Sequence, residues 1–282
     1  MLSVLPQPAP YDLLHIYYLQ GRVNESAMTS PPGFIGNWEE EGESFLFFHQ
    51  EAETWIARLL AEQDHLELVD QFQMTYEQWQ GAEILPYQVG GLQIIPAWYT
   101  VIGPSIGQYL RLDPGVVFGT GTHPTSRHCL EALHRVFEDH AISRVLDVGT
   151  GTGLLALASA ALGARQVVAV DLNHLAVKTA RCNVMHNKLD ERILVVRGNA
   201  KNFMDLSCDL MVSNIHYEVM RQLVETPGFH QPKHFILSGL LRSQAKEIIS
   251  RLKKRSAHIV DQWEQDTVWF TIYGYTGDIR AQ

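Results

Sequence analysis

Three things are scarce in this chain: cysteine, positive charge and long apolar runs. The three cysteines, Cys129, Cys182 and Cys208, form no CxxC pair and have no metal-ligand spacing. A disulfide scaffold and a ribbon-type zinc site are therefore excluded, and a reduced, cytoplasmic protein is expected. Lys and Arg number 22 against 31 acidic residues, a net charge of −9. That balance lacks the clustered basic charge of an extended nucleic-acid footprint and suits a small-molecule enzyme, or one with a basic protein partner. The longest mostly apolar stretch, LLALASAALGA at 154–164, is too short to cross a bilayer and reads as a buried helix. MLSVLPQPAP has neither a basic n-region nor an apolar core, so no signal peptide is expected there. No solenoid repeat or low-complexity tract is visible. What the chain does have is length: 282 residues, 46% of them hydrophobic, suffice for one large domain or two smaller ones.

The order of patterns divides the chain. In residues 1–75, YDLLHIYYL reads as a strand, GRVNESAMTSPPG as a loop, and FIGNWEEEGESFLFF as two strands around an acidic turn. EAETWIARLLAEQ then has helical spacing, with Trp55, Ile56, Leu59 and Leu60 on one face, and HLELVDQF is a further strand. These make a small α+β module in which Trp38 and Trp55 are expected in the core and EEEGE at a solvated turn. Residues 76–112 are interrupted by Pro and Gly and read as an extended linker with a short hairpin at QVGGLQIIPAW. From residue 113 onward, apolar strands alternate with helices, which implies a doubly wound, mainly parallel Rossmann-like sheet. Two strands follow the last helix in close succession, so the final one can run antiparallel.

GTGT occurs twice, at 119–122 and 149–152. The second copy, in VLDVGTGTGLLALAS, sits between a strand and a helix, where free backbone N–H groups and a helix N-terminus are expected beside a ligand. The next strand ends in Asp171, about 20 residues on, the distance at which an acid meets a ribose diol. Gly149, Gly151 and Gly153 give G-x-G-x-G rather than the dinucleotide spacing. Asp147 just before the turn would repel a pyrophosphate but can accept bonds from a cationic amino-acid moiety. S-adenosylmethionine, which carries an ammonium and a sulfonium and no phosphate, therefore fits better than a nicotinamide cofactor. A glycine turn without a ligand is the bland alternative.

The first copy, DPGVVFGTGTHPTSRHCLEAL, is by itself a flexible loop ahead of a capped helix. Together with VLDVGTGTGLLALAS, VVAVDLN, SNIHYEVM and LSGLL it resembles the ribosomal protein L-eleven methyltransferases (PrmA type), over roughly residues 76–282. The resemblance implies a seven-stranded methyltransferase sheet, S-adenosylmethionine as cofactor, and amino groups of a basic ribosomal protein as acceptors. It implies cofactor contacts at Ser126, Gly149, Asp171 and Asn214. Phe118, Thr122, Asp147, Gly151, Gly153, Leu172, Asn199 and Ala200 are placed with them. The first loop would then close over the donor. The N-terminal module departs from the family's βαββαβ unit, its first helix replaced by the loop GRVNESAMTSPPG. That departure keeps open another protein or a small molecule as acceptor, or a non-catalytic cofactor-binding module.

An amine acceptor has to arrive neutral, although a free lysine titrates near 10.4. Asn214, after the strand CDLMVS, is the candidate to accept an N–H and aim the lone pair; a simple turn residue is the alternative. His123 and His216 are the titrating groups near the pocket. For His123 a helix-entry role stands beside that of a base, and for His216 a surface position. His123, His128 and His134 lack ligand spacing, so no metal is expected.

Overall fold

The computed structural model describes residues 3–25, 31–102 and 109–277. The first elements are β1 (Ser3–Leu5), β2 (Leu13–Gln20), β3 (Phe34–Glu40), β4 (Glu43–Phe48), α1 (Glu53–Glu62) and β5 (Glu67–Thr75). The last four of these strands form an antiparallel sheet in the order β3-β4-β2-β5. Glu41 and Gly42, both at positive φ, make the two-residue turn between β3 and β4 at the acidic run. Alternation along β2 sorts the two faces. Tyr17 and Leu19 join Leu46 and Phe48 under Ile56 and Leu59 of α1, with Trp55 packed at the edge. Leu14 and Ile16 point the other way, onto Val116, Val117 and Leu175, with Trp38 alongside. Of the loop predicted in place of a helix, residues 26–30 lie outside the described residues.

Residues 76–112 are built rather than extended. They hold α2 (Tyr76–Gln80), β6 (Tyr87–Val89), β7 (Leu92–Pro96), β8 (Thr100–Ile102) and β9 (Tyr109–Leu112). The expected hairpin is β6–β7, and β9 adds in parallel to make a three-stranded sheet. Its residues Val89, Leu92, Ile94, Leu110 and Leu112 are buried in the main core. β1 reaches across to pair antiparallel with β8. Strands of three to five residues carry too few positions to reveal a period, so the sequence shows only their breakers.

The main layer begins with α3 (Pro124–Asp139) and continues β10 (Arg144–Val148), α4 (Leu154–Leu162), β11 (Gln166–Asp171), α5 (His174–His186), β12 (Ile193–Arg197), β13 (Leu210–Asn214), α6 (Tyr217–Val224), β14 (His234–Leu241), α7 (Arg242–Lys254), β15 (Ala257–Gln265) and β16 (Trp269–Thr276). The seven strands lie in the order β12-β11-β10-β13-β14-β16-β15. Five are parallel, and β16 enters antiparallel between β14 and β15. Helices cover both faces, so β10, β13 and α4 read as near-continuous apolar runs. The strand order reverses between β10 and β13, the crevice where ligands bind in sheets of this kind. Register sets Val148 opposite Ser213, so the turn after β10 lies beside Asn214 at the C-terminal edge.

Candidate active site

The second glycine turn joins β10 to α4, and all five of its amides are committed. Gly149 and Thr150 donate to the Val170 carbonyl at 2.8 and 3.0 Å, Thr152 to the Phe118 carbonyl at 3.3 Å and Gly153 to that of Thr150 at 2.8 Å. Gly151 donates to Asp171 Oδ2 at 3.0 Å. At the head of α4, the Ala156 amide donates to Asp147 Oδ2 at 3.1 Å. The expectation of free N–H groups at this turn is therefore corrected. A carboxylate of the chain already occupies the place an external phosphate would take at the helix N-terminus. The turn is not an anion cradle, which removes the main attraction for a dinucleotide.

Two carboxylates flank it instead. Asp147 is fully buried; its Oδ2 also accepts from the Thr150 hydroxyl at 2.6 Å, while Oδ1 has no partner among the described residues. Burial pushes its carboxyl up to about 7, against the pull of the Thr150 and Ala156 hydrogen bonds. Asp171 ends β11, accepts from Gly151 and from the Asn173 amide at 2.9 Å, and is raised chiefly by burial. Leu172, next in line, is 67% exposed, and its carbonyl accepts from Arg197 Nε. Beyond β12, Asn199 caps the short 3₁₀ turn that starts at Ala200, its Oδ1 accepting from the Lys201 amide at 3.0 Å.

The first glycine turn lies against the second. Thr152 Oγ1 donates to the Gly119 carbonyl at 2.7 Å. Gly151 has φ 54°, and a Cβ there would sit 2.6 Å from the Phe118 carbonyl oxygen, so only glycine lets the two backbones meet. Tyr87 of β6 donates to the Thr120 carbonyl at 2.8 Å, and the Thr120 and Thr122 hydroxyls bond each other at 2.7 Å. Asn183, fully buried in α5, donates to the carbonyls of Asp113 and Thr152 at 2.8 and 2.9 Å and accepts from the Asp113 amide. Phe118 remains 58% exposed beside this junction.

At the end of β13, Asn214 Nδ2 donates to Thr125 Oγ1 at 3.2 Å and Ser126 Oγ at 3.4 Å, in the first turn of α3. Because His123 Nδ1 accepts from Thr125, the Thr125 hydroxyl donates to it and its oxygen accepts from Asn214 Nδ2, which leaves Oδ1 as the other side of the amide. Below it, Ser238 Oγ donates to the Thr125 carbonyl and meets Thr271 Oγ1 at 2.5 Å, which anchors the helix start to the sheet. His123 is the N-cap of α3; its Nδ1 accepts from the Thr125 amide at 3.4 Å and lies 2.8 Å from Thr125 Oγ1. Burial lowers its pKa, and its ring packs edge-on against Phe118 and Trp269. With Nδ1 so engaged, proton transfer would have to use Nε2. His216 precedes α6, exposed and without a capping bond. His128 is buried towards Thr271, whereas His134 meets Glu138 on the outer face of α3.

The structure thus brings Phe118, Thr122, Ser126, Asp147, Gly149, Gly151, Gly153, Asp171 and Asn214 to one edge of the sheet, with Leu172, Asn199 and Ala200 on the neighbouring strand ends. Sequence reasoning missed Tyr87, Thr125, Thr152, Asn183 and Trp269. Thr125 and Thr152 had a signal, as polar residues inside the two motifs; the other three act across the fold.

A seven-stranded sheet of this order, with a glycine turn and a distal acid at its switch point, is the Rossmann-like methyltransferase fold. Within it the chain belongs to the ribosomal protein L11 methyltransferase (PrmA) family, whose model matches residues 39–276. A ribosomal protein L11 methyltransferase of Exiguobacterium sibiricum is 38% identical over 164 residues, 56% of this chain and 50% of that protein. Its counterpart in Listeria monocytogenes is 33% identical over 189 residues, 66% of this chain and 59% of the relative. The match thus spans only between half and three-fifths of the length of these curated relatives. The crystal structure of ribosomal protein L11 methylase from Lactobacillus delbrueckii subsp. bulgaricus superposes with a TM-score of 0.58 at 27% identity, over 66% of this chain and 96% of that one.

Proposed function

We propose that this chain is an S-adenosylmethionine-dependent N-methyltransferase whose acceptor is an amino group of a ribosomal protein of the L11 type. The observation that carries the reading is Asn214: its amide is held by Thr125 and Ser126 with Oδ1 left over, beside the glycine turn at the switch point. The residues suit the donor. The buried, unpartnered Asp147 Oδ1 is an acceptor for an ammonium, directly or through water, and the second lone pairs of the Asp171 oxygens can accept from ribose hydroxyls. Leu172 and Phe118 supply exposed apolar surface to flank a nucleoside, and Gly149 keeps the turn open below Ile215. When bound, S-adenosylmethionine supplies a methyl carbon activated by its sulfonium.

The chain's own work is then mainly positioning and exclusion of water. Asn214 Oδ1 accepts an N–H of the neutral amine and turns its lone pair towards the donor. Phe118, His123 and Trp269 form an aromatic wall that tolerates a methylated ammonium after transfer. His123, uncharged near neutrality, adds no positive charge to repel that product.

The test is transfer of labelled methyl from S-adenosylmethionine to purified, unmethylated L11 by the full chain. Mass spectrometry should find the added methyl groups on amines, and Asn214→Ala should lower kcat by roughly 10²-fold, the scale of a lost positioning contact. Absence of both donor binding and transfer would sink the proposal. One observation favours a changed acceptor: the family match begins at residue 39, leaving β1, β2 and most of β3 outside it. Ribosomal proteins from cells with and without the enzyme separate the two, since unchanged methylation of L11 points to another substrate.

A further inference from the structure

A cavity of about 210 Å³ opens at the seam between the N-terminal sheet and the main layer, lined by Asn24, Glu25, Asn37, Glu39, His174 and Arg197. Asn37, in β3, is only 3% exposed, and its Oδ1 has no hydrogen-bond partner among the described residues. Its Nδ2 donates to Glu39 Oε1 at 3.4 Å. That bond settles the orientation of the amide: a flipped Asn37 would set two oxygens against each other and still leave a buried group unsatisfied. A buried amide oxygen without a partner is costly and rare, so its presence beside a cavity calls for an occupant.

The missing partner has to be a donor. Glu25 and Glu39 face the same space, whereas the Arg197 guanidinium on the opposite wall is turned to the Leu172 carbonyl at 3.3 Å. The acceptors lie on the N-terminal sheet and the donors on the main layer. The cavity is large enough for a guanidinium or ammonium with part of its stem, which would meet Asn37 Oδ1 and one or both carboxylates.

We propose that this seam cavity is a cation site that receives an arginine or lysine side chain of the protein acceptor, away from the residue to be methylated. The site rests on the protein-acceptor reading above, and it explains why the N-terminal sheet is joined to the donor side. Asn173, which caps α5 with its Oδ1 and whose amide donates to Asp171 Oδ1, also donates through Nδ2 to the Glu39 carbonyl at 3.2 Å. An occupant held by Asn37 and Glu39 therefore sits two short steps from the acid at the end of β11.

The test uses the full chain and agmatine, which carries both a guanidinium and an ammonium. Ligand-observed NMR should show agmatine bound, and Asn37→Leu and Glu39→Gln should each weaken it by about tenfold. Glu39→Gln keeps the side chain's shape and an oxygen for Asn37 Nδ2, so it remains informative if Asn37→Leu unfolds. Saturating S-adenosylhomocysteine should leave agmatine in place. Agmatine binding untouched by both substitutions, displacement by S-adenosylhomocysteine, or acetate binding in its stead would overturn the site. In turnover with unmethylated L11, Glu39→Gln should raise KM by about tenfold, and an unchanged KM would also overturn it. Agmatine bound at these residues in a chain that methylates no ribosomal protein would uphold the cation site and reject the acceptor reading instead.

Discussion

Asp147 carries its charge in an unfavourable place, and the consequence can be read from pH. Its carboxyl titrates near 7 in the folded chain and near 3.9 in an unfolded one. Between those values the folded state holds a proton that the unfolded state has released. Stability from this group is therefore full below about pH 4 and is lost as pH rises through about 7. Asp147→Asn should gain on the wild type by on the order of 2 kcal/mol between pH 5 and pH 8, whatever its offset at a single pH. Urea unfolding at the two pH values measures that slope, and a flat difference would mean that the carboxyl is ionised throughout. The same group predicts that a cationic donor binds with proton release near neutrality. Calorimetry in buffers of different ionisation enthalpy should detect it, and Asp147→Asn should abolish it. The sequence placed Asp147 and Asp171 around the turn, because Asp171 ends the apolar strand β11 and Asp147 is the one acid near the end of β10. It could not show that Asp147 spends one oxygen on Thr150 and Ala156, since burial decides that.

At the scale of elements, the two GTGT turns form one unit. Thr152 donates both bonds between them, its amide to the Phe118 carbonyl and its hydroxyl to that of Gly119, while Tyr87 holds the first turn from outside and Asn183 ties the second to the Asp113 turn. Tyr87→Phe removes a single hydroxyl that donates to the Thr120 carbonyl, and should cost about 1 kcal/mol. It should also speed amide exchange in residues 119–123 and raise KM for the acceptor more than for the donor. Exchange unchanged in that loop would show that Tyr87 does not restrain it. Asn183→Ala strips three buried bonds and should lose several kcal/mol, with donor affinity falling as the second turn loosens. Neither residue announced itself in the sequence. Tyr87 lies 33 residues from its partner and Asn183 lies 70 from Asp113, so no local pattern records either link. The main layer was legible because its apolar strand runs alternate with helices long enough to show their period. In residues 76–112 only the β6–β7 hairpin was, and its Tyr87 turned out to hold the first turn in place.

For the whole molecule, the N-terminal sheet is a filled middle layer. One face lies under α1 and the other on α5 and the segment at Val116, with Leu175 between Leu14, Ile16 and Phe47. Gly36 in β3 passes so close to Leu175 that a side chain there would have to displace the Leu175 methyls. Leu175→Ala, which empties a 4% exposed core position, should cost about 2–5 kcal/mol. If the two layers unfold together, urea melts monitored by the tryptophans and by far-ultraviolet dichroism should coincide and shift together. Two separate transitions would show that the sheet is a detachable attachment. The sequence indicated a separate module because its pattern of short strands differs from the alternation that follows; the contact through Leu175 depends on how the two surfaces meet in space.

The meeting of the two glycine turns also limits how this chain can drift. A side chain added at Gly151 strikes the Phe118 backbone, and one added at Gly119 strikes Thr152. Neither copy of GTGT is free to vary while the other stands still. Among descendants of this sequence, a change in one turn should persist only with a matching change in the other, although 30 residues of chain separate them.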